Sequence, residues 1–174
     1  WQLTRTGAVS SQMPGITVPF EAFPGTIGVL LGMPETRKIK KREAALAGAG
    51  GFVLTPSPAR ALPASICGEN GIDKDNCLRT IPPRENGGNM DVQQMQVGTR
   101  IIFPCFIDGC GLFAGDIHYA QGDGEVSGTA IEMGTVTTLR VRKIHKGKGA
   151  KMDMPVTLGN DQIIDMEPTR YYQT

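Results

Sequence analysis

The sequence predicts an all-β dominated fold, a sandwich or barrel with one or two short helices and extensive Gly/Pro-rich loops. Two observations carry this. Gly and Pro number 23 and 12 in 174 residues, and that many breakers exclude a helix bundle and favour short strands joined by turns. Four apolar segments at 99–107, 111–119, 125–133 and 135–144 follow one another with turn residues between them, which predicts an antiparallel sheet. Hydrophobic residues make up 40% and charged residues 20%, which excludes wholesale disorder. The 18 basic and 17 acidic residues leave a formal charge of +1, too even for a global field toward nucleic acid or a membrane surface. No run approaches the ~20 apolar residues of a membrane helix. A chain this long buries roughly 70% of its unfolded surface and needs no metal or disulfide merely to stay folded.

Taken in order, Ile16-Thr-Val18 and Thr26-Ile-Gly-Val-Leu-Leu31 are short apolar pieces between Pro/Gly breakers. The second reads as a buried strand with a close backbone approach at Gly28. Pro34 and Glu35 open a helix that runs to Ala47, where Gly48 is a natural stop. Residues 48–63 read as an irregular connector and 64–82 as polar loop. In 99–107, Ile101, Phe103, Cys105 and Ile107 share one face and Ile102 and Phe106 the other, so both faces are expected to be buried. In 135–144, Leu139 and Val141 alternate with Thr138, Arg140 and Arg142, so one face is expected to be wet. From Gly147 the chain is turn-rich again.

The cysteines are Cys67, Cys77, Cys105 and Cys110. Their spacing fits no zinc ribbon, and they are too few for a secreted disulfide scaffold. They are expected to be buried free thiols in a cytoplasmic protein, with Cys67–Cys77 or Cys105–Cys110 bridges as the lesser reading. The chain starts at Trp1, and residues 1–20 lack a signal-peptide pattern. It is therefore expected to be processed, clipped or part of something longer.

Chemistry concentrates in three places. On an extended strand Asp116 and His118 project together, a pair suited to a cation such as zinc. Asp116 could instead orient His118 as a general base, or the two could be an ordinary surface pair. Gln121-Gly-Asp123-Gly-Glu125 puts two carboxylates on a tight turn, either as exposed acids of a hairpin or, with 111–119 paired to 125–133, at one end of the sheet beside Asp116 and His118. Glu132 faces away from Glu125 unless Gly128 makes a bulge. Asn89 and Asp91 follow Gly87-Gly88, as further site residues or as an Asx turn. His145 sits among cations and reads as exposed. The basic runs 37–42 and 140–151 lack interleaved aromatics and read as solvated faces. There is no GxSxG, no P-loop, no dinucleotide fingerprint and no Ser-Ser-Lys amidase signature.

Ile81-Pro-Pro-Arg-Glu-Asn-Gly-Gly-Asn-Met-Asp91, Gly115-Asp-Ile-His-Tyr-Ala-Gln-Gly-Asp-Gly-Glu125 and Gly128-Thr-Ala-Ile-Glu132 together closely resemble the acetamidase/formamidase family. Phe23-Pro-Gly-Thr-Ile-Gly28 and Lys41-Arg-Glu43 resemble two earlier segments of that family, with Phe23 where the family carries His. The likeness runs over roughly 8–150 in unbroken order. It implies a jelly-roll type β-sandwich with a smaller subdomain. It also implies that residues 1–174 are the central part of a longer family domain, with its N- and C-terminal parts absent, in a homo-oligomer. The implied activity is cytoplasmic hydrolysis of a small linear amide, formamide or acetamide, to ammonia and the acid, with no nucleic-acid or membrane partner. A non-catalytic β-domain kept for assembly or ligand binding is the alternative.

Amide hydrolysis needs activated water, a polarised carbonyl and a protonated leaving nitrogen, and a divalent metal, zinc by this donor set, meets the first two. The expected metal ligands are Asp116, His118 and Asp91. The expected catalytic groups are Glu125 as base, Asp123 beside it, and Asn89 or a Gly87–Gly88 N–H as oxyanion donor. A nucleophilic cysteine is the weaker route.

Overall fold

The structure is a computed structural model that describes residues 1–50, 62–145, 152, 154–159 and 163–165. It opens with a meander: β1 (Gln2–Leu3), β2 (Gly7–Val9) and β3 (Thr17–Pro19) pair antiparallel in that order. The next strand, β4 (Phe23–Gly28), is followed by helix α1 (Met33–Gly48). Beyond it lie α2 (Ala64–Cys67), a 3-10 turn at Lys74–Asn76, β5 (Gly87–Asn89) and β6 (Arg100–Ile102). Then come β7 (Phe113–Ala120), a 3-10 turn at Asp123–Glu125, β8 (Ile131–Glu132), β9 (Val156–Leu158) and β10 (Ile163–Asp165). The site is built on the sheet of order β5-β4-β7-β8, and β10-β9-β6 form a third sheet.

Helix α1 forms where the sequence places it. Pro34 lies in its first turn, and Ile39 and Glu43 are buried on one face with Thr36. The Thr36 hydroxyl donates to Gly32 O at 3.0 Å. At the far end the Gly50 N–H, at φ +82°, closes onto Ala47 O. The buried Glu43 receives Arg84 Nε at 2.7 Å and Nη2 at 3.3 Å, and Arg84 Nη1 donates to Arg79 O and Pro82 O. Arg42 pairs with Glu85 through both terminal guanidinium nitrogens, Nη1 and Nη2. The 37–42 run is therefore only partly a solvated face, because Arg42 and Lys40, which donates to Asp75 O, tie α1 to the loop that leads into β5.

Three expectations are corrected. The fold is mixed α/β rather than an all-β sandwich: the strands are short, α1 is the longest element at 16 residues, and no sheet closes into a barrel or jelly roll among the described residues. The four strand segments do not make one sheet. In 99–107 only Arg100–Ile102 pairs, with β9, and Pro104 has no N–H to extend the ladder. In 125–133 only Ile131–Glu132 pairs, on β7. Residues 135–144 pair with nothing among the described residues and stand exposed, Val136 at 94% and Val141 at 71%. The last bond to this edge is from Met133 N to Ile117 O. Finally, the cysteines are neither free nor buried: Cys67 pairs with Cys77 and Cys105 with Cys110. In the first pair the chain turns back after α2, with Asp73 N bonded to Ile66 O. In the second a turn bonds Cys110 N to Ile107 O. The 48–63 connector lies largely outside the described residues.

Two small apolar clusters hold the site sheet. Phe23, Ile27 and Met95 pack with Met90, Val92, Ile101 and Phe103. Ala8, Tyr119 and Ala120 pack with Val18, Ile131 and Met133. The Tyr119 hydroxyl donates to Thr4 O at 2.9 Å, joining the meander to β7. Gly28 lets strands close up as its position in the sequence requires: a Cβ there would lie 2.6 Å from Asn86 O and 2.8 Å from Gly88 N.

Candidate metal centre

His118 is the centre of the site. It lies on β7, 1% exposed, with Phe23 in register on the β4 side and Glu132 in register on the β8 side. Its Nε2 faces Asp116 Oδ1 at 3.5 Å, Glu132 Oε2 at 3.5 Å and Glu125 Oε1 at 3.9 Å. Two sets of ligand atoms lie within 4.8 Å of one another: Asp91, His118 and Glu125, and Asp116, His118 and Glu132. The site therefore gathers carboxylates from β7, β8, the turn after β7 and the segment after β5 around a single imidazole.

Three of the four carboxylates, those of Asp91, Asp116 and Glu125, are held by strained backbone. The described non-glycine residues with positive φ are Asp91 (52°), Cys110 (61°), Asp116 (54°) and Glu125 (45°). All but Cys110 belong to this site. Such conformations cost about 1–3 kcal/mol each and persist where the surroundings over-determine them, typically at functional sites. Asp116 kinks β7 opposite Gly25, and its side chain reaches His118 from there. Gly124 at φ +72° and Gly128 at φ +70° shape the turn that carries Glu125 back. The register shifts between His118 and Ala120, the bulge that brings Glu132 to the same side as Glu125.

Gly25 makes the convergence possible. A Cβ there would sit 2.6 Å from His118 Cε1, 2.7 Å from Nε2 and 2.9 Å from Asp91 Oδ1. Its carbonyl accepts both the Met90 and Asp91 N–H groups, which pins the segment after β5 against His118. Asp91 Oδ1 is buried and has no hydrogen-bond partner. Burial raises the Asp91 carboxyl to about 6; the nearby Glu125 and Asp116 charges push the same way, against the lowering effect of His118. An open cleft of about 460 Å³, lined by Asp116, Ile117, Glu132 and Met133 among others, adjoins the site on the β8 side.

These features fit a divalent cation. The oxygen donors outnumber the local hydrogen-bond donors, one of them is a buried orphan, and Gly25 leaves a cradle that any side chain would fill. The mixture of one imidazole and several carboxylates suits a borderline or hard divalent ion.

Of the residues that the sequence singled out, the structure brings Asp116, His118 and Glu125 together, with Asp91 among them. Asp123 is exposed and outside both ligand sets, with its Oδ1 accepting from Gln93 Nε2 at 3.1 Å. Asn89 is at the margin: its Oδ1 accepts from Thr26 Oγ1 at 2.9 Å and its Nδ2 donates to Ile81 O, while Thr26 also reaches Asp116 Oδ2 at 3.3 Å. Glu132 is a candidate ligand outside the predicted set: the sequence reading allowed it only through a bulge at Gly128, whereas the register shift lies on β7 between His118 and Ala120. Gly25 and Thr26 had no signal beyond their place in the Phe23–Gly28 segment. Phe23 presents a T-shaped contact to His118, with ring centroids 5.2 Å apart, so the cross-strand neighbour of the imidazole is apolar. His145 is exposed, as expected.

The sequence profile of the acetamidase/formamidase family matches residues 1–173. The chain belongs to the acetamidase/formamidase family. It is 34% identical over 159 residues to an acetamidase of Mycolicibacterium smegmatis, covering 84% of this chain and 38% of that one. Over a shorter stretch of 70 residues it is 43% identical to a formamidase of Methylophilus methylotrophus, covering 40% of this chain and 17% of the relative. The structure is similar to a γ-lactamase from Delftia acidovorans with a TM-score of 0.70 and 30% identity, covering 95% of this chain and 42% of that one. The chain thus spans less than half the length of these similar proteins.

Proposed function

We propose that this chain carries the metal centre of an amidohydrolase that cleaves a small linear amide to ammonia and a carboxylic acid. The convergence of Asp116, Glu125 and Glu132 on His118 Nε2, with an Asp91 carboxylate oxygen within 4.8 Å of ligand atoms of His118 and Glu125, carries the proposal, together with membership of a family whose relatives include an acetamidase and a formamidase. His118, shared by the two ligand sets, would hold the cation with Asp91 from one set and Asp116 from the other; we assign the ion as zinc because the imidazole favours a borderline ion over a hard one. Bound there, the ion would supply Lewis acidity that polarises a carbonyl and acidifies water.

The chain's own residues account for the remaining steps. Glu125, largely shielded from solvent and next to His118, takes a proton from water and returns it to the leaving nitrogen. Asn89 has one amide hydrogen committed to Ile81 O, and its other is the candidate donor to the developing oxyanion. Asp123 holds the turn through Gln93 and so aims Glu125. The cleft along Asp116, Ile117 and Glu132 gives the substrate access.

The test is ammonia release from formamide and acetamide by wild type and Glu125→Gln, each with and without a chelator. Loss of a base worth roughly 10²–10⁴-fold in rate, with unchanged metal content and melting temperature, is the expected result. Wild-type-like turnover in Glu125→Gln would reject the role.

We also assign a homo-oligomer, supported by the exposed apolar row Val136, Leu139, Val141 and Ile144; light scattering on the purified chain measures it. No described helix is long and apolar enough to cross a membrane. The cytoplasmic expectation came from the low cysteine count and from the family resemblance, and the two cystines argue against the first of these. Thiol counting on protein purified without reductant decides between the compartments.

A further inference from the structure

We propose that Gln121 is a positioning residue that fixes which nitrogen of His118 faces the cation and locks Asp91 to it. The inference rests on the metal-centre reading above and deepens it. Gln121 follows directly on β7, three residues beyond His118. Its Oε1 lies 2.8 Å from His118 Nδ1, and its Nε2 donates to the backbone carbonyl of Asp91 at 2.7 Å.

The logic is one of donors and acceptors. A carbonyl oxygen only accepts, so the end of the Gln121 amide that meets Asp91 O must be the NH₂ group. The other end is then the oxygen, and an oxygen can only accept from His118. Nδ1 must therefore carry a proton. In the neutral imidazole this leaves the lone pair on Nε2, the nitrogen that faces Asp116, Glu125 and Glu132. The same side chain spans from the β7 end to the Asp91 backbone, so it couples two candidate ligands from separate segments. His118 is 1% exposed, so water cannot substitute for this partner freely.

The chemistry of the partner matters as well. A metal-bound histidine commonly donates its second N–H to a carboxylate or a backbone carbonyl. Here the structure supplies a side-chain amide instead. A carboxylate at 121 would add another negative charge to a cluster already rich in carboxylates, and would set an oxygen against Asp91 O. A neutral amide orients the imidazole without either penalty.

The test uses the full chain in a His145→Gln background, which leaves His118 as the sole histidine. Nitrogen NMR on metal-free, histidine-labelled protein, at a pH where imidazole is neutral, reads the proton position. Zinc titration against a chromophoric chelator reads affinity. Wild type should hold the proton on Nδ1. Gln121→Met should shift it toward Nε2 and weaken zinc binding roughly 10–100-fold. Gln121→Glu keeps an acceptor for Nδ1, so it should preserve the tautomer while losing the bond to Asp91, a pattern that a merely structural role would not give. A wild-type proton on Nε2, an unchanged tautomer in Gln121→Met, or a tautomer lost in Gln121→Glu would each overturn the proposal. If the wild-type chain binds no zinc, the metal-centre reading fails, and the tautomer measurement still judges Gln121.

Discussion

Two charge clusters draw on the chain on either side of β5, and they are built on opposite principles. In the first, Arg84 meets Glu43 and Arg42 meets Glu85, so guanidinium and carboxylate charges balance one for one. Burial alone would raise the Glu85 carboxyl, yet the bonded Arg42 holds it below its ordinary value. In the second, four carboxylates surround one imidazole, and Asp91 is raised to about 6 by burial and by its acidic neighbours. The balanced cluster is complete within the chain, apart from an unbonded Arg42 Nε. The unbalanced one carries an excess of negative charge: water reaches the exposed Asp116 and Glu132, while the buried Asp91 Oδ1 has no partner in the chain and is left for a cation to satisfy. Both clusters are fed by one stretch, Ile81–Asp91: Arg84 and Glu85 serve the scaffold, and Asn89 and Asp91 serve the site.

The comparison can be broken at either end. The largest stability effect is expected at the balanced cluster. Arg84→Met leaves Glu43 buried without its partner and should lower unfolding free energy by about 3–5 kcal/mol in a urea titration. The double variant with Glu43→Leu should recover most of that loss, since neither charge is then buried alone.

Gly25→Ala comes next. The added Cβ meets the His118 ring and Asp91 Oδ1 well inside contact distance, so it should cost about 1–3 kcal/mol and also lower metal content by elemental analysis. A variant that keeps full metal content would show that the cradle is not part of the centre.

Asp91→Asn should act with the opposite sign. It removes a charge whose burial and acidic neighbours outweigh the favourable effect of His118, and so should stabilise the metal-free form above pH 6 by roughly 1 kcal/mol after solvent screening, while weakening metal binding. The accompanying pH dependence has a definite direction. With the folded Asp91 raised to about 6 from 3.8, the folded state binds more protons than the unfolded state between those values. The metal-free chain therefore loses stability as pH rises from about 4 to 6. Melting curves across that range should show the slope in wild type, and it should be flatter in Asp91→Asn.

Much of this was legible in the sequence, and the misses have physical causes. Helix α1 was readable because Pro34 and Gly48 mark its ends locally. Asp116 and His118 were readable because they share one strand. Glu132 was harder, since its place depends on a register shift that only the β7–β8 pairing reveals. Residues 135–144 have the composition of a strand, but a strand exists only with a partner, and none of the described residues provides one. The jelly-roll expectation came from resemblance rather than from strand lengths, which are too short for two packed sheets. The cysteines were misjudged on compartment. The local turns at 67–77 and 105–110, which bring each pair together, carry no strong signal beyond Asn70-Gly71 and Asp108-Gly109.

The central claim is that the carboxylates around His118 form one cation site. A zinc-soaked crystal of the chain, measured at the zinc absorption edge, tests it most directly. The account predicts an anomalous peak within bonding distance of His118 Nε2 and the Asp91 carboxylate, absent in His118→Ala. An ordered His118 with no peak beside it, or a peak unchanged in His118→Ala, would contradict it.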